Sequence, residues 1–118
     1  LPAMLSVHEG PARINYGQQN SLPFQPGIVI SDEPGLYFEG EHGVRMENLV
    51  ECVELPTGML GFAPLTMAPI DRDVLDVSLM EPADIRRLDA YHALVYDALS
   101  PYLHGEDLDY LESATQAL

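Results

Sequence analysis

The chain has 118 residues, a net charge of −14 and a hydrophobic fraction of 47%. That is enough for one ordinary domain with a real core. The acidity argues against nucleic acid and against an anionic membrane surface, because nothing basic is clustered to neutralise phosphate.

All five basic residues are arginines, and no apolar run approaches the ~18 residues of a membrane span. The acidity reads either as a solubilising surface or, for some carboxylates, as cation binding. The single cysteine, Cys52, lies in an apolar stretch and is expected to be a small buried hydrophobe. This fits a reducing, cytoplasmic setting. The first residues, LPAML, lack an initiator methionine and the basic and apolar regions of a signal peptide, and are expected to continue something longer.

In chain order, a short apolar run leads to His8-Glu9-Gly10-Pro11, where glycine and proline end any strand. Residues 14–26 are polar and form a loop closed by the turn signal Pro26-Gly27. A strand over 28–31 is broken by Glu33-Pro34-Gly35, with more extended chain at 36–38 and a turn at 39–43. Residues 44–55 read as one uninterrupted strand, ended by Pro56-Thr57-Gly58, and 59–67 can return as another. From Asp76 the apolar period changes from two to about 3.6. Ser78 and Glu81 read as a capping box with Pro82 in the first turn. Ile85, Leu88, His92, Val95, Leu99 and Tyr102 form one stripe of a long helix ended by Pro101 and Gly105. A second helix places Leu108, Leu111, Thr115 and Leu118 on one face. The expected fold class is α+β in a single domain, with strands over roughly 1–70 and helices over roughly 79–118: a curved antiparallel sheet followed by two helices.

Two glutamates stand among apolar residues in this hairpin. If the strands pair about Gly40, partners sum to about eighty in residue number and Glu33 faces Glu47. Facing carboxylates repel, so either one holds a proton or a cation sits between them. The alternative is a register off by one residue, with both acids solvated. Arg45 shares a strand face with Glu47 and could orient a carboxylate, or make an ordinary surface ion pair. His8 could donate a hydrogen bond to a developing oxyanion, or be structural. His92, on the helix stripe, reads as a core histidine, His42 as solvated in a turn, and His104 as lying near a helix C-terminus, where a cation is mildly favoured. No H-x-x-x-H or C-x-x-C spacing supports a standard zinc site.

The segments HEGP at 8–11, SDEPGLY at 31–37 and GVRMENLV at 43–50 resemble the last three motifs of the M24 metallopeptidases, and within them the Xaa-Pro aminopeptidases. The tail, FAPLTMAPID at 62–71 followed by EPADIRRLDAYH, SPYL and YLESAT, resembles the C-terminal segment of those enzymes. The resemblance implies a pita-bread fold around two divalent metal ions, manganese, cobalt or zinc, held by two aspartates, a histidine and two glutamates. It implies Glu33 and Glu47 as metal ligands, Glu33 also as general base, His8 as a catalytic and substrate-binding group, and Arg45 as a substrate-binding group beside the last ligand. The implied substrate is a peptide with proline at its second position. The aspartates and the metal-binding histidine lie upstream in the family, and Leu1-Pro2-Ala3-Met4 stands where its glycine-rich histidine segment would be. Ala63 and Tyr110 replace a glutamate and a tryptophan common in the tail. The chain is therefore expected to be the C-terminal part of such an enzyme, to bind a divalent cation weakly at best or not at all by itself, and to be inactive alone. Two other readings stay open: a non-catalytic association module, most simply a homodimer, and one chain of a split enzyme.

Overall fold

The computed structural model describes residues 12–14 and 22–118. The chain divides into two compact units, one ending at Thr66 and one running from Met67 to Leu118. The boundary falls about ten residues before Asp76, where the apolar period changes.

The first unit contains five strands: β1 (Val29–Asp32), β2 (Gly35–Phe38), β3 (His42–Arg45), β4 (Asn48–Glu54) and β5 (Leu60–Pro64). They form an antiparallel sheet of order β1-β4-β5 and a separate antiparallel pair, β2-β3. Turns fall where glycine relieves the steric penalty of positive φ, at Gly40 (φ 76°) between β2 and β3 and at Gly58 (φ 78°) between β4 and β5. Successive side chains alternate between faces. Ile30, Val50 and Pro64 share one face with Cys52 and Phe62. This is the core face: Cys52 is fully buried, Ile30 is buried, and Phe24 meets Phe62 edge-on at 5.4 Å.

The single strand expected over 44–55 is two strands, interrupted at Met46 and Glu47. The interruption lies level with Glu33-Pro34 on the partner. Pro34 accepts a hydrogen bond from Met46 N at 3.1 Å but has no N–H to return, so the ladder loses half a pair there.

The second unit begins with two single 3₁₀ turns, Arg72–Val74 and Val77–Leu79. Each is capped by the preceding aspartate: Asp71 accepts from Asp73 N at 3.0 Å, and Asp76 accepts from Ser78 N at 3.0 Å and from Ser78 Oγ at 2.6 Å. Helix α1 spans Pro82–Leu99 and helix α2 spans Glu106–Ala114. The expected Ser78–Glu81 capping box does not form, because Asp76 takes the Ser78 hydroxyl. Glu81 is the N-cap without a side-chain cap bond, and Pro82 supplies the preset φ of the first turn. Along α1, His92 and Val95 are fully buried, with Ile85, Leu88 and Leu99 half-buried. Tyr102 leaves the stripe and is 80% exposed, because Pro101 stops the helix and residues 100–102 turn as a 3₁₀ segment. Leu111 anchors α2 at 2% exposure. The first turn of α2 carries Glu106, Asp107 and Asp109, which complement the positive end of its dipole. Among the described residues, no helix is long and apolar enough to cross a membrane.

Candidate metal centre

Partner numbers sum to 80 in both ladders of the hairpin, from Asp32–Asn48 in one to Gly35–Arg45 in the other. The break between the ladders therefore places Glu33 opposite Glu47, on the face away from Cys52. The off-by-one alternative is excluded. Glu33 is the more sheltered acid, its side chain 21% exposed, and Glu47 is exposed.

A chain of polar contacts runs along this face. Ser31 Oγ donates to Glu33 Oε1 at 2.9 Å. Arg45 Nη1 lies 3.1 Å from Glu33 Oε2. Arg45 Nε donates to Tyr37 Oη at 2.8 Å, and its guanidinium carbon sits 5.9 Å from the Tyr37 ring centre. Arg45 thus clasps Glu33 across the strand pair, not Glu47 two residues further along the chain. The Tyr37 hydrogen bond first, and then the charges of Glu33 and Glu47, hold the guanidinium pKa above its ordinary value.

Tyr37 can lie there because two glycines leave room. A Cβ on Gly43, directly opposite, would come within 2.5 Å of the Tyr37 ring, and one on Gly35 within 2.5 Å of its hydroxyl. An aromatic laid over cross-strand glycine also covers backbone that glycine leaves bare. Ser31 and Tyr37 were not singled out from the sequence. The available signal was the Gly-x-Tyr spacing, which puts a glycine and the tyrosine on one face.

The remaining candidates lie elsewhere. His8 is outside the described residues. His42 is exposed and stacks on Phe38 at 5.0 Å, His104 is exposed, and His92 is a core residue of the second unit.

Glu33 and Glu47 occupy facing register positions, and carboxylate oxygens are donors that hard and borderline divalent cations accept. Among the described residues, no group of three or more His, Cys, Asp or Glu gathers to hold an ion. The pair fits part of a donor set, and further ligands must complete it.

The hairpin thus sets two glutamates in register with an arginine on one of them, and two helices follow the sheet. The chain belongs to metallopeptidase family M24: the family model matches residues 3–54, and the model of the C-terminal region of peptidase M24 matches residues 58–118.

Within that family its relatives are Xaa-Pro aminopeptidases. It is 41% identical over 110 residues to Aminopeptidase P2 of Arabidopsis thaliana, covering 87% of this chain and 16% of that protein. It is 40% identical over 110 residues to a probable Xaa-Pro aminopeptidase P of Laccaria bicolor, covering 86% and 17% respectively. A solved structure, the X-prolyl aminopeptidase of Caenorhabditis elegans, described as a cytosolic enzyme with a di-nuclear active site, superposes with a TM-score of 0.79 at 31% identity. That match covers 97% of this chain and 20% of the neighbour. The fold is thus the expected α+β C-terminal half of a pita-bread fold. The chain spans about a fifth or less of the length of these relatives.

Proposed function

We propose that this chain supplies the glutamate half of a dinuclear centre that removes an N-terminal residue preceding proline. The observation that carries the reading is the register-opposed pair Glu33 and Glu47, with Arg45 fixed on Glu33. Glu33 and Glu47 would hold two divalent ions, manganese, cobalt or zinc, together with two aspartates and a histidine from outside these 118 residues. Such ions, when bound, supply a water acidic enough to act as a nucleophile near neutral pH. Glu33 accepts the proton of the attacking water and returns it to the departing proline nitrogen. His8 donates a hydrogen bond to the oxyanion formed on the scissile carbonyl. Ser31 and Arg45 keep the Glu33 carboxylate in one orientation, so it need not reorganise during proton transfer. Arg45, beside the last ligand, also faces the peptide. The intact enzyme acts in the cytoplasm.

The 118-residue chain alone is inactive on this reading. The test is hydrolysis of an Xaa-Pro peptide by the purified chain with Mn2+, Co2+ or Zn2+. No turnover is expected, and metal-dependent cleavage would refute the half-site.

A second reading is favoured by one feature. Leu36 and Val44 pair across the hairpin at 63% and 56% exposure, with Phe38 beside them at 47%. Exposed apolar neighbours of this kind mark association surfaces. Homodimerisation, or pairing with a chain that carries the missing ligands, would cover them. Light scattering after size exclusion separates these cases from a monomer.

A further inference from the structure

His92 is fully buried in α1 and takes no part in the proposed chemistry. Its Nε2 accepts a hydrogen bond from the backbone N–H of Ile70 at 3.1 Å. A ring nitrogen that accepts carries no proton, so the neutral imidazole is protonated on Nδ1. Nδ1 is buried and has no hydrogen-bond partner among the described residues. The neighbouring residue completes the attachment: Tyr91 Oη donates to Ala68 O at 2.8 Å. Two consecutive residues of α1 therefore hold the extended segment 68–70 against the helix, one through a carbonyl and one through an N–H.

Only one of these two bonds can be undone by a proton. Once Nε2 is protonated, His92 presents N–H groups on both sides and faces the Ile70 N–H as donor to donor. The surroundings offer the cation little. Arg72, from the segment just beyond Ile70, opposes it, and its guanidinium is held by the carbonyls of Ser113 and Ala117. Asp89, one turn back on α1, favours it, but Asp89 Oδ1 already accepts from Leu118 N at 3.0 Å. Tyr91 stacks at 5.9 Å with its hydroxyl engaged.

We propose that His92 is an acid-released latch. Neutral, it fastens Ile70 to α1; protonated from solvent, it loses that bond and frees Ile70, while the Tyr91–Ala68 bond and the helix core persist. Burial, and then Arg72, lower the His92 pKa, so the latch holds at neutral pH and opens only on acidification. The inference stands on the second unit alone and is independent of the peptidase reading.

The test is amide hydrogen exchange of the labelled chain between about pH 7.5 and about pH 5, each rate referred to its intrinsic value. The protection of Ile70 is expected to fall by about tenfold or more, while Val95 and Leu111 stay protected. His92→Gln keeps an acceptor near the Nε2 position and does not titrate, so it should show no such step. An unchanged Ile70, a step of equal size in His92→Gln, or simultaneous loss at Val95 and Leu111 would each overturn the proposal. Ring nitrogen shifts of the unaltered chain give an answer even if the variant does not fold. A proton on Nδ1 at neutral pH, with protonation of Nε2 tracking the loss at Ile70, supports the latch; a proton on Nε2 at neutral pH overturns it.

Discussion

Arg45 reaches across the hairpin to Glu33 at 3.1 Å, although Glu47 lies only two residues further along the chain. The choice is made by Tyr37, whose hydroxyl takes the Arg45 Nε at 2.8 Å and pins the guanidinium on that side. Since Glu33 is the proposed base and Glu47 only a ligand, the arginine steadies the acid that must move a proton.

Tyr37→Phe therefore leaves Arg45 without its anchor and Glu33 less well oriented. In a catalytic domain that includes the upstream ligands, the loss in kcat/KM should be about 10–100-fold, the scale found for groups that orient metal ligands. Steady-state rates on an Xaa-Pro peptide measure it. A variant as fast as the unaltered enzyme would mean that Tyr37 has no such role.

Gly43→Ala attacks the same contact from the partner strand. Its methyl would meet the Tyr37 ring at 2.5 Å, and backbone or ring must shift. The cost should be about 1–3 kcal/mol, as for overpacking elsewhere. Urea unfolding followed through tyrosine fluorescence checks it, and Gly40→Ala serves as the contrast. That residue has open space around its Cβ position, so its cost comes from positive φ alone.

Cation binding by the 118-residue chain should be weak, in the range of about 1 mM or above, because two carboxylates are a small donor set. Calorimetric titration with Mn2+ measures this. Whatever binding exists should vanish in both Glu33→Ala and Glu47→Ala. Tight binding that survives either substitution would place the ions elsewhere.

Arg72 caps the end of α2 from a distance of some 40 residues, its Nη1 and Nη2 donating to Ser113 O at 3.4 Å and Ala117 O at 3.2 Å. The last carbonyls of a helix have no partners within it. Arg72→Ala should fray this end and cost about 0.5–1.5 kcal/mol per bond lost, less where water substitutes. Faster amide exchange confined to residues 113–118 would verify it, and unchanged exchange there would contradict it.

The acid sensitivity of His92 also fixes a sign for stability. Its folded pKa is lowered, so the unfolded chain binds the proton more readily, and stability rises with pH. The contribution is complete above the unfolded value of about 6.5 and is lost progressively as pH falls toward the folded pKa. Denaturant midpoints of the unaltered chain should drop on acidification through that window by more than those of His92→Gln. Parallel curves would remove His92 as the cause.

What the sequence by itself determined was local or periodic. Glycines at 40 and 58 must turn, because only glycine takes positive φ at little cost, and the Gly40 turn sets a register that brings Glu33 opposite Glu47. The 3.6 period marked α1 down to the burial of His92 and Val95. The motifs around the two glutamates were sufficient for the family. Tertiary structure decided which partner each polar group takes. Pro34 splits residues 44–55, which read as one strand, because the hydrogen bond it cannot donate belongs to that facing strand. Ser78 is claimed by Asp76 before it can cap α1, Arg45 by Tyr37 and Glu33, and His92 by an amide 22 residues away. Hydrophobic pattern fixes which face is buried, since burial depends on area and period. Hydrogen bonds and ion pairs depend on directions and on distances of about 3 Å. Only the assembled backbone sets those.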